Sequence, residues 1–268
     1  MKITRYRDAS GSIGYGSVQP DGTVLALKGD PFGGLTPTDT VVTGAKTLAP
    51  IEPTNIYGIG LNYKKHAEEG GRGVPERPMV FMKGTNTLQH PGDPIVLPTV
   101  QASTQVDYEC EIAVVIGKAA KNVKKADALD YVLGYTCAND VSARDWQFKF
   151  GGGQFCQAKG FDTFCPMGPV LVTPDELTQP NNLKIRSILN GEVMQDWTTA
   201  DMVFDIPTLI EFLSGSKTLT PGTVILTGTP HGVGFARKPP VWLKKGDTIA
   251  IEIEGIGTLT NPVVNEEA

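Results

Sequence analysis

The residues in this chain that invite chemistry are carboxylates. Glu109 and Glu111 lie two apart in the run Asp107-Tyr108-Glu109-Cys110-Glu111-Ile112-Ala113-Val114-Val115-Ile116. Successive side chains of a strand point to opposite faces, so the two glutamates share one face, with Cα atoms about 7 Å apart. The second half of the run is continuously apolar, which predicts a strand buried on both faces. Two carboxylates leading into such a strand repel each other and lose hydration, so a proton, a basic partner or a metal must compensate. A third acid, Asp140, stands where the strand-like Thr136-Cys137-Ala138-Asn139 gives way to a polar turn, a common place for a ligand held by a rigid element. Carboxylate oxygens in close array suit hard cations such as Mg2+, Mn2+ or Ca2+. On spacing alone the alternative stays open: Glu-x-Glu as a solvated edge-strand face, and Asp140 as a helix cap.

Two further groups stand out. His66 and Glu69 are three apart in Asn62-Tyr63-Lys64-Lys65-His66-Ala67-Glu68-Glu69, neighbours on one face of a helical turn. A carboxylate beside an imidazole fixes its tautomer and raises its basicity, as a general base near neutral pH requires. Taken alone, such a pair is more often an exposed helical contact. Lys159, set among Gly160, Phe161 and Phe164, is either a snorkelling surface cation or a donor aimed into a pocket.

These residues need a scaffold, and composition says which kind. The chain has 268 residues with 31 glycines and 20 prolines, rich in turn formers and poor in long helical patterns. Strands are predicted over Asn55–Gly60, Met79–Lys83, Val106–Ile116, Leu133–Asn139, Thr223–Thr227 and Thr248–Ile253. Short helices are predicted at Lys64–Gly70, Ala126–Asp130 and Asp205–Leu213, the last with Pro207 in its first turn. Strands spaced this irregularly suggest a curled or barrel-like mixed sheet, a mixed α/β but predominantly β fold. Pro31 to Leu48 reads as a connector with at most one short helix. The two prolines of Leu48-Ala49-Pro50-Ile51-Glu52-Pro53 mark a boundary between a small N-terminal β subdomain, residues 1–50, and a main domain, residues 51–268.

Several classes are excluded on this reading. The 24 Lys and Arg against 29 Asp and Glu give a net charge of −5 with no basic cluster, which argues against nucleic acid. No apolar run approaches the ~20 residues that span a bilayer, and the N-terminus lacks a signal peptide's apolar stretch. Four cysteines without a C-x-x-C pair point to reduced thiols and a cytoplasmic protein. Gly58-Ile59-Gly60 and Gly232-Val233-Gly234 lack the third glycine of a dinucleotide loop.

Four stretches in order, Val106–Gly117 (VDYECEIAVVIG), Asn139–Gln147 (NDVSARDWQ), Lys159–Pro169 (KGFDTFCPMGP) and Leu226–Gly234 (LTGTPHGVG), resemble the fumarylacetoacetate hydrolase family. The resemblance covers about Asn55 to Pro262 and is nearest the branch of FAH domain-containing proteins. It implies a β-roll fold, a homodimer, and a Mg2+ or Mn2+ ion held at Glu109, Glu111 and Asp140. It also implies a catalytic His66–Glu69 pair on a segment hinged at Gly70-Gly71-Arg72-Gly73, with Lys159 stabilising oxyanion or enolate charge. Arg144, Gln147 and Thr229 match substrate-holding positions; for Arg144 a structural salt bridge is an equal alternative. Lys83 is a supporting residue near the site, and Ser142 looks structural.

The activity so implied is metal-dependent C–C bond cleavage of a β-dicarbonyl 2-oxo acid, through a metal-stabilised enolate. An acylpyruvate hydrolase or an oxaloacetate decarboxylase would both fit. The alternatives are a double-bond isomerase of an unsaturated 2-hydroxy-dicarboxylate and a non-catalytic metabolite-binding protein of the same fold.

Overall fold

The computed structural model describes residues 1–267, and its main feature is a twelve-stranded mixed sheet. Its central strand, Cys110–Ile116, is buried at every residue, as the continuous apolar run requires. It pairs antiparallel with Val132–Asn139 on one side and Thr223–Leu226 on the other. Thr223–Leu226 runs parallel to Asn55–Gly60, which carries Met79–Lys83 on its far side. On the other flank Val132–Asn139 meets Cys165–Val172, and this strand meets Lys2–Arg7. The N-terminal strands Ile13–Val18, Val24–Asp30 and Gly34–Val41 follow in order, so they continue the large sheet.

Period-two alternation divides the core. Cys110, Ile112, Val114 and Ile116 pack with Ile185, Ile249, Ile251 and Ile253 of a second, five-stranded sheet. Ala113 and Val115 face the opposite way, onto Ile3, Ile56 and Leu226. Glu111 shares the parity of this second set, so it enters the strand on the face away from the five-stranded sheet.

Helices are few and short: α1 (Lys64–Glu69), α2 (Phe155–Ala158) and α3 (Ile206–Ser214). α3 starts where expected, with Asp205 accepting the Thr208 N–H at 2.9 Å and Pro207 in the first turn. The connector expected over Pro31 to Leu48 is instead strand Gly34–Val41 and the short Lys46–Leu48. Gly34–Val41 is the outermost strand with most side chains exposed, so burial imposes no alternation on its sequence, and an edge position tolerates Pro37. A wide helical turn at Trp146–Phe150 follows the short strand Ser142–Ala143.

Candidate functional site

Strand register gathers the three carboxylates. Cys110 lies opposite Asn139 in the antiparallel pair, so the next rung places Glu109 beside Asp140, closed by the Asp140 N–H donating to the Glu109 carbonyl at 3.0 Å. Glu111 is one strand step further along the same face. On its other side the chain leaving Thr223–Leu226 brings the Gly228 N–H to Glu111 Oε2 at 2.7 Å. One oxygen from each of Glu109, Glu111 and Asp140 lies within 4.8 Å of the others, and all three residues are buried.

Buried charge of this density must be compensated, and three cations do most of it. Lys159, capping α2, donates to Glu109 Oε2 at 2.9 Å, Asp140 Oδ2 at 2.7 Å and Ser142 Oγ at 2.6 Å. Its ammonium also sits 5.0 Å from the Phe81 ring centroid. Phe81 takes that place because Gly58 opposite it has no side chain; a Cβ there would come within 2.1 Å of the ring. Lys83 is wholly buried and donates to Asp140 Oδ1 at 2.6 Å and to the Val141 carbonyl at 3.3 Å. Arg144 reaches Glu109 Oε1 at 2.7 Å while its other nitrogens engage Asp107 and the Gln147 side-chain oxygen.

The electrostatic outcome separates the glutamates. Burial alone would raise Glu109, but Lys159 and Arg144 overcome it and bring its carboxyl down to about 2. Burial, with Asp140 and Glu109 adding to it, pushes Glu111 well above the carboxylate range, and among the described residues Glu111 forms no ion pair. Burial works against the Lys159 charge, yet Asp140 and Glu109 outweigh it and raise its pKa. A buried carboxyl short of one counter-charge, beside two others at ligand spacing, fits a hard divalent cation. Three carboxylates would leave further positions on such an ion for water or substrate oxygens.

The cavity over these groups measures about 280 Å³, and Glu109, Glu111, Arg144, Gln147, Lys159 and Thr229 all line it. His66 and Glu69 line it as well, carried by α1. His66 Nδ1 lies 3.1 Å from Glu69 Oε2, and Glu69 Oε1 accepts the Gly232 N–H at 2.9 Å. Burial would raise Glu69, but the His66 and Gly232 hydrogen bonds hold its carboxyl below its ordinary value. α1 is placed by Asn62, whose buried amide donates to the carbonyls of Phe204 and Thr227 and accepts the Phe204 N–H.

Two sequence-derived substrate contacts are already engaged within the protein. The Thr229 hydroxyl donates to the Cys110 carbonyl at 3.0 Å and accepts from Gln195 at 2.8 Å, which leaves its backbone as the free donor. Arg144 has its guanidinium committed to Asp107, Glu109 and Gln147.

Sequence reading missed four residues or underrated them. Asp107 is fully buried and accepts N–H groups from Tyr108 (2.9 Å), Gly234 (2.7 Å) and Phe235 (3.0 Å) as well as Arg144 Nε (2.9 Å). Lys83 and Ser142 contact the triad or its lysine directly. Gln195, from the five-stranded sheet, ties the Cys110 backbone to Thr229 and Pro230. An acid at the head of an apolar strand was the visible signal for Asp107; Gln195 offered none.

Residues 55–264 match the family described as Fumarylacetoacetate (FAA) hydrolase C-terminal, and residues 1–50 match one described as Rv2993c-like, N-terminal. Over 218 residues the chain is 51% identical to a Xenopus laevis protein named oxaloacetate tautomerase fahd2, mitochondrial, covering 81% of this chain and 68% of that relative. Identity to the Homo sapiens oxaloacetate tautomerase FAHD2A, mitochondrial, is 50% over 218 residues, with 81% and 69% covered. The crystal structure of a 5-carboxymethyl-2-hydroxymuconate delta-isomerase from Mycobacterium smegmatis matches with a TM-score of 0.86 at 39% identity, over 99% of this chain and all of that one. The mitochondrial names of these relatives overturn the cytoplasmic expectation. That expectation rested on unpaired cysteines, which suit any reducing compartment equally. A family match across residues 55–264, with half-identity to two relatives, establishes that the chain belongs to the fumarylacetoacetate hydrolase family.

Proposed function

We propose that the protein is an enzyme that moves a proton on a small 2-oxo dicarboxylic acid, interconverting the enol and keto forms of oxaloacetate or a close analogue. The observation that carries this reading is that Glu109, Glu111, His66 and Glu69 open onto one cavity of about 280 Å³. The names of the relatives, two oxaloacetate tautomerases and an isomerase, support proton transfer ahead of bond cleavage.

Glu109, Glu111 and Asp140 would hold the cation, Mg2+ or Mn2+ with Ca2+ as a substitute. Bound there, it would supply Lewis-acid polarisation of the 2-oxo group. The protein's own residues do the rest. With Nδ1 facing Glu69, His66 has Nε2 left for the substrate, where it takes the proton from carbon 3 of the keto form and, as imidazolium, delivers it to the 2-oxygen to give the enol hydroxyl; the reverse direction carries the same proton back. Glu69 fixes the imidazole tautomer and steadies the imidazolium. Lys159, charged and immobilised by two carboxylates, places positive potential where the 2-oxygen gains negative charge. The apolar side of the cavity, Phe81, Phe148, Phe155 and Phe235 among others, restricts water around the transferring proton.

The test is the decay of enol absorbance when oxaloacetate is added to EDTA-stripped protein with and without Mg2+, with His66→Ala and Glu111→Gln run alongside. Acceleration that needs the cation and both side chains supports the reading; acceleration indifferent to His66 sinks it. A second reading, hydrolytic or decarboxylative C–C cleavage, is favoured by the same His66–Glu69 pair, which is also suited to activating water. Coupled pyruvate detection on oxaloacetate and acetylpyruvate separates the two.

A further inference from the structure

A dianionic substrate has a second carboxylate, and the charges available to receive it are few. Four basic side chains line the cavity: His66, Arg72, Arg144 and Lys159. Three are committed to acids of the protein, His66 to Glu69, Arg144 to Asp107 and Glu109, and Lys159 to Glu109 and Asp140. Arg72 alone has no carboxylate partner among the described residues. It does not come from the strand face that holds the acids but from the turn that ends α1. Gly71 there adopts φ +63°, and the Arg72 N–H closes back on the Ala67 carbonyl at 2.9 Å. The turn is anchored nearby, since Glu69 is tied to the Gly232 N–H. Elsewhere the cavity wall includes the apolar Leu61, Met79, Phe148, Phe155 and Phe235, which offer no charge.

We propose that Arg72 is the specificity residue of this site: its guanidinium receives the distal carboxylate of a 2-oxo dicarboxylate while the 2-oxo acid end lies over Glu109 and Glu111. This rests on the functional reading above and sharpens it, because the same cavity without Arg72 would favour a 2-oxo acid with a neutral tail. A planar guanidinium pairs with a carboxylate through two parallel N–H donors, a geometry that lysine does not reproduce.

The experiment compares enol–keto exchange of oxaloacetate with that of acetylpyruvate, whose distal end is neutral, in the Mg2+-loaded protein and in Arg72→Gln and Arg72→Lys. The ratio of the two kcat/KM values falls by about 10- to 100-fold in Arg72→Gln, mainly through the KM for oxaloacetate, with Arg72→Lys between. A ratio held within twofold, or an equal loss on both substrates, overturns the proposal, since a merely structural role would lower both together. Calorimetric binding of 2-oxoglutarate against 2-oxopentanoate gives a readout without turnover. The wild-type protein prefers the dicarboxylate and Arg72→Gln prefers the monocarboxylate. Absence of any preference in the wild type also refutes the role. If neither substrate is turned over, the tautomerase reading falls while the binding comparison still decides on Arg72.

Discussion

Replacing Asp107 by asparagine should loosen the site from behind without touching the cavity. The Asp107 carboxylate is fully buried, and the polar atoms aimed at it are all donors: three backbone N–H groups and the Arg144 guanidinium. Burial pushes this carboxyl up, with Arg144 and the backbone donors opposing, and a carboxyl proton would find no acceptor among these partners, so the ionised form is the one accommodated. Asparagine keeps one oxygen; its amide must then face either the Tyr108 and Gly234 N–H groups or the Phe235 N–H and Arg144. Removing one partner of a buried ion pair costs about 3–5 kcal/mol, and the lower end applies because Arg144 keeps Glu109 at 2.7 Å. In a chain of this size about 3 kcal/mol lowers Tm by roughly 6–12 °C. Gly234 has little room to absorb the change, since a Cβ added there would come within 1.9 Å of the Val241 carbonyl oxygen. Asp107→Asn, measured by differential scanning calorimetry on EDTA-stripped protein, should therefore melt within that interval below wild type. It should also show a raised KM, because the 234–235 backbone carries Phe235 into the cavity. The double variant Asp107→Asn/Arg144→Gln should cost less than the two singles added. A Tm drop below about 3 °C, or strict additivity in the cycle, would refute the reasoning.

Other outcomes follow from the same geometry. Mg2+ at about 100 times its Kd should stabilise the stripped protein by about 2.7 kcal/mol, a rise visible by thermal melt and reversed by EDTA. Glu111→Gln should abolish that rise yet leave the stripped protein no less stable, since it removes the buried carboxyl that lacks an ion pair; a large loss without metal would count against the assignment. Glu69 has a depressed folded-state pKa, so its contribution is present above the usual 4.5 and lost as pH falls through the lower folded value. Denaturant titrations should thus find wild type more stable than Glu69→Gln at pH 7, with the gap closing below about pH 4.5. Burial raises the thiols of Cys110, Cys137 and Cys165, the last to about 12, while Cys156 is exposed. Ellman titration should find one reactive thiol per native chain and four after unfolding.

What could be read from residues alone was whatever a local period encodes. Glu109 and Glu111 on one face, and the two-sided burial of Cys110–Ile116, follow from alternation and an unbroken apolar run. His66 and Glu69 follow from helical spacing. The partners of those groups did not follow, because they are joined by register between distant strands. Lys83 meets Asp140 across 57 positions, Gln195 meets Cys110 across 85, and Gly234 meets Asp107 across 127. No window of sequence holds both ends of such a contact. Arg144 shows the same limit from another side: its place near the site was legible, whereas its commitment to Asp107 depends on Val106–Asp107 pairing with Ser142–Ala143. Strand Gly34–Val41 failed for a different reason, since an exposed edge leaves no hydrophobic pattern to read.

The buried charges also explain why cation and substrate should come as a set. Asp107, Glu109, Glu111 and Asp140 face Lys83, Arg144 and Lys159, four negative groups against three positive. Alone, that cluster relieves its excess by favouring a proton on Glu111, the carboxyl without a cation. A divalent cation held there would replace the proton and carry the cluster one unit positive, which would attract an anion into the cavity. A monocarboxylate would restore neutrality by itself. A dicarboxylate would overshoot by one charge, and the guanidinium of Arg72, without a carboxylate partner among the described residues, would offset it. Swapping Arg72 for a neutral side chain should therefore turn the preferred ligand from dianion to monoanion, a change of valence that altered packing alone would not produce.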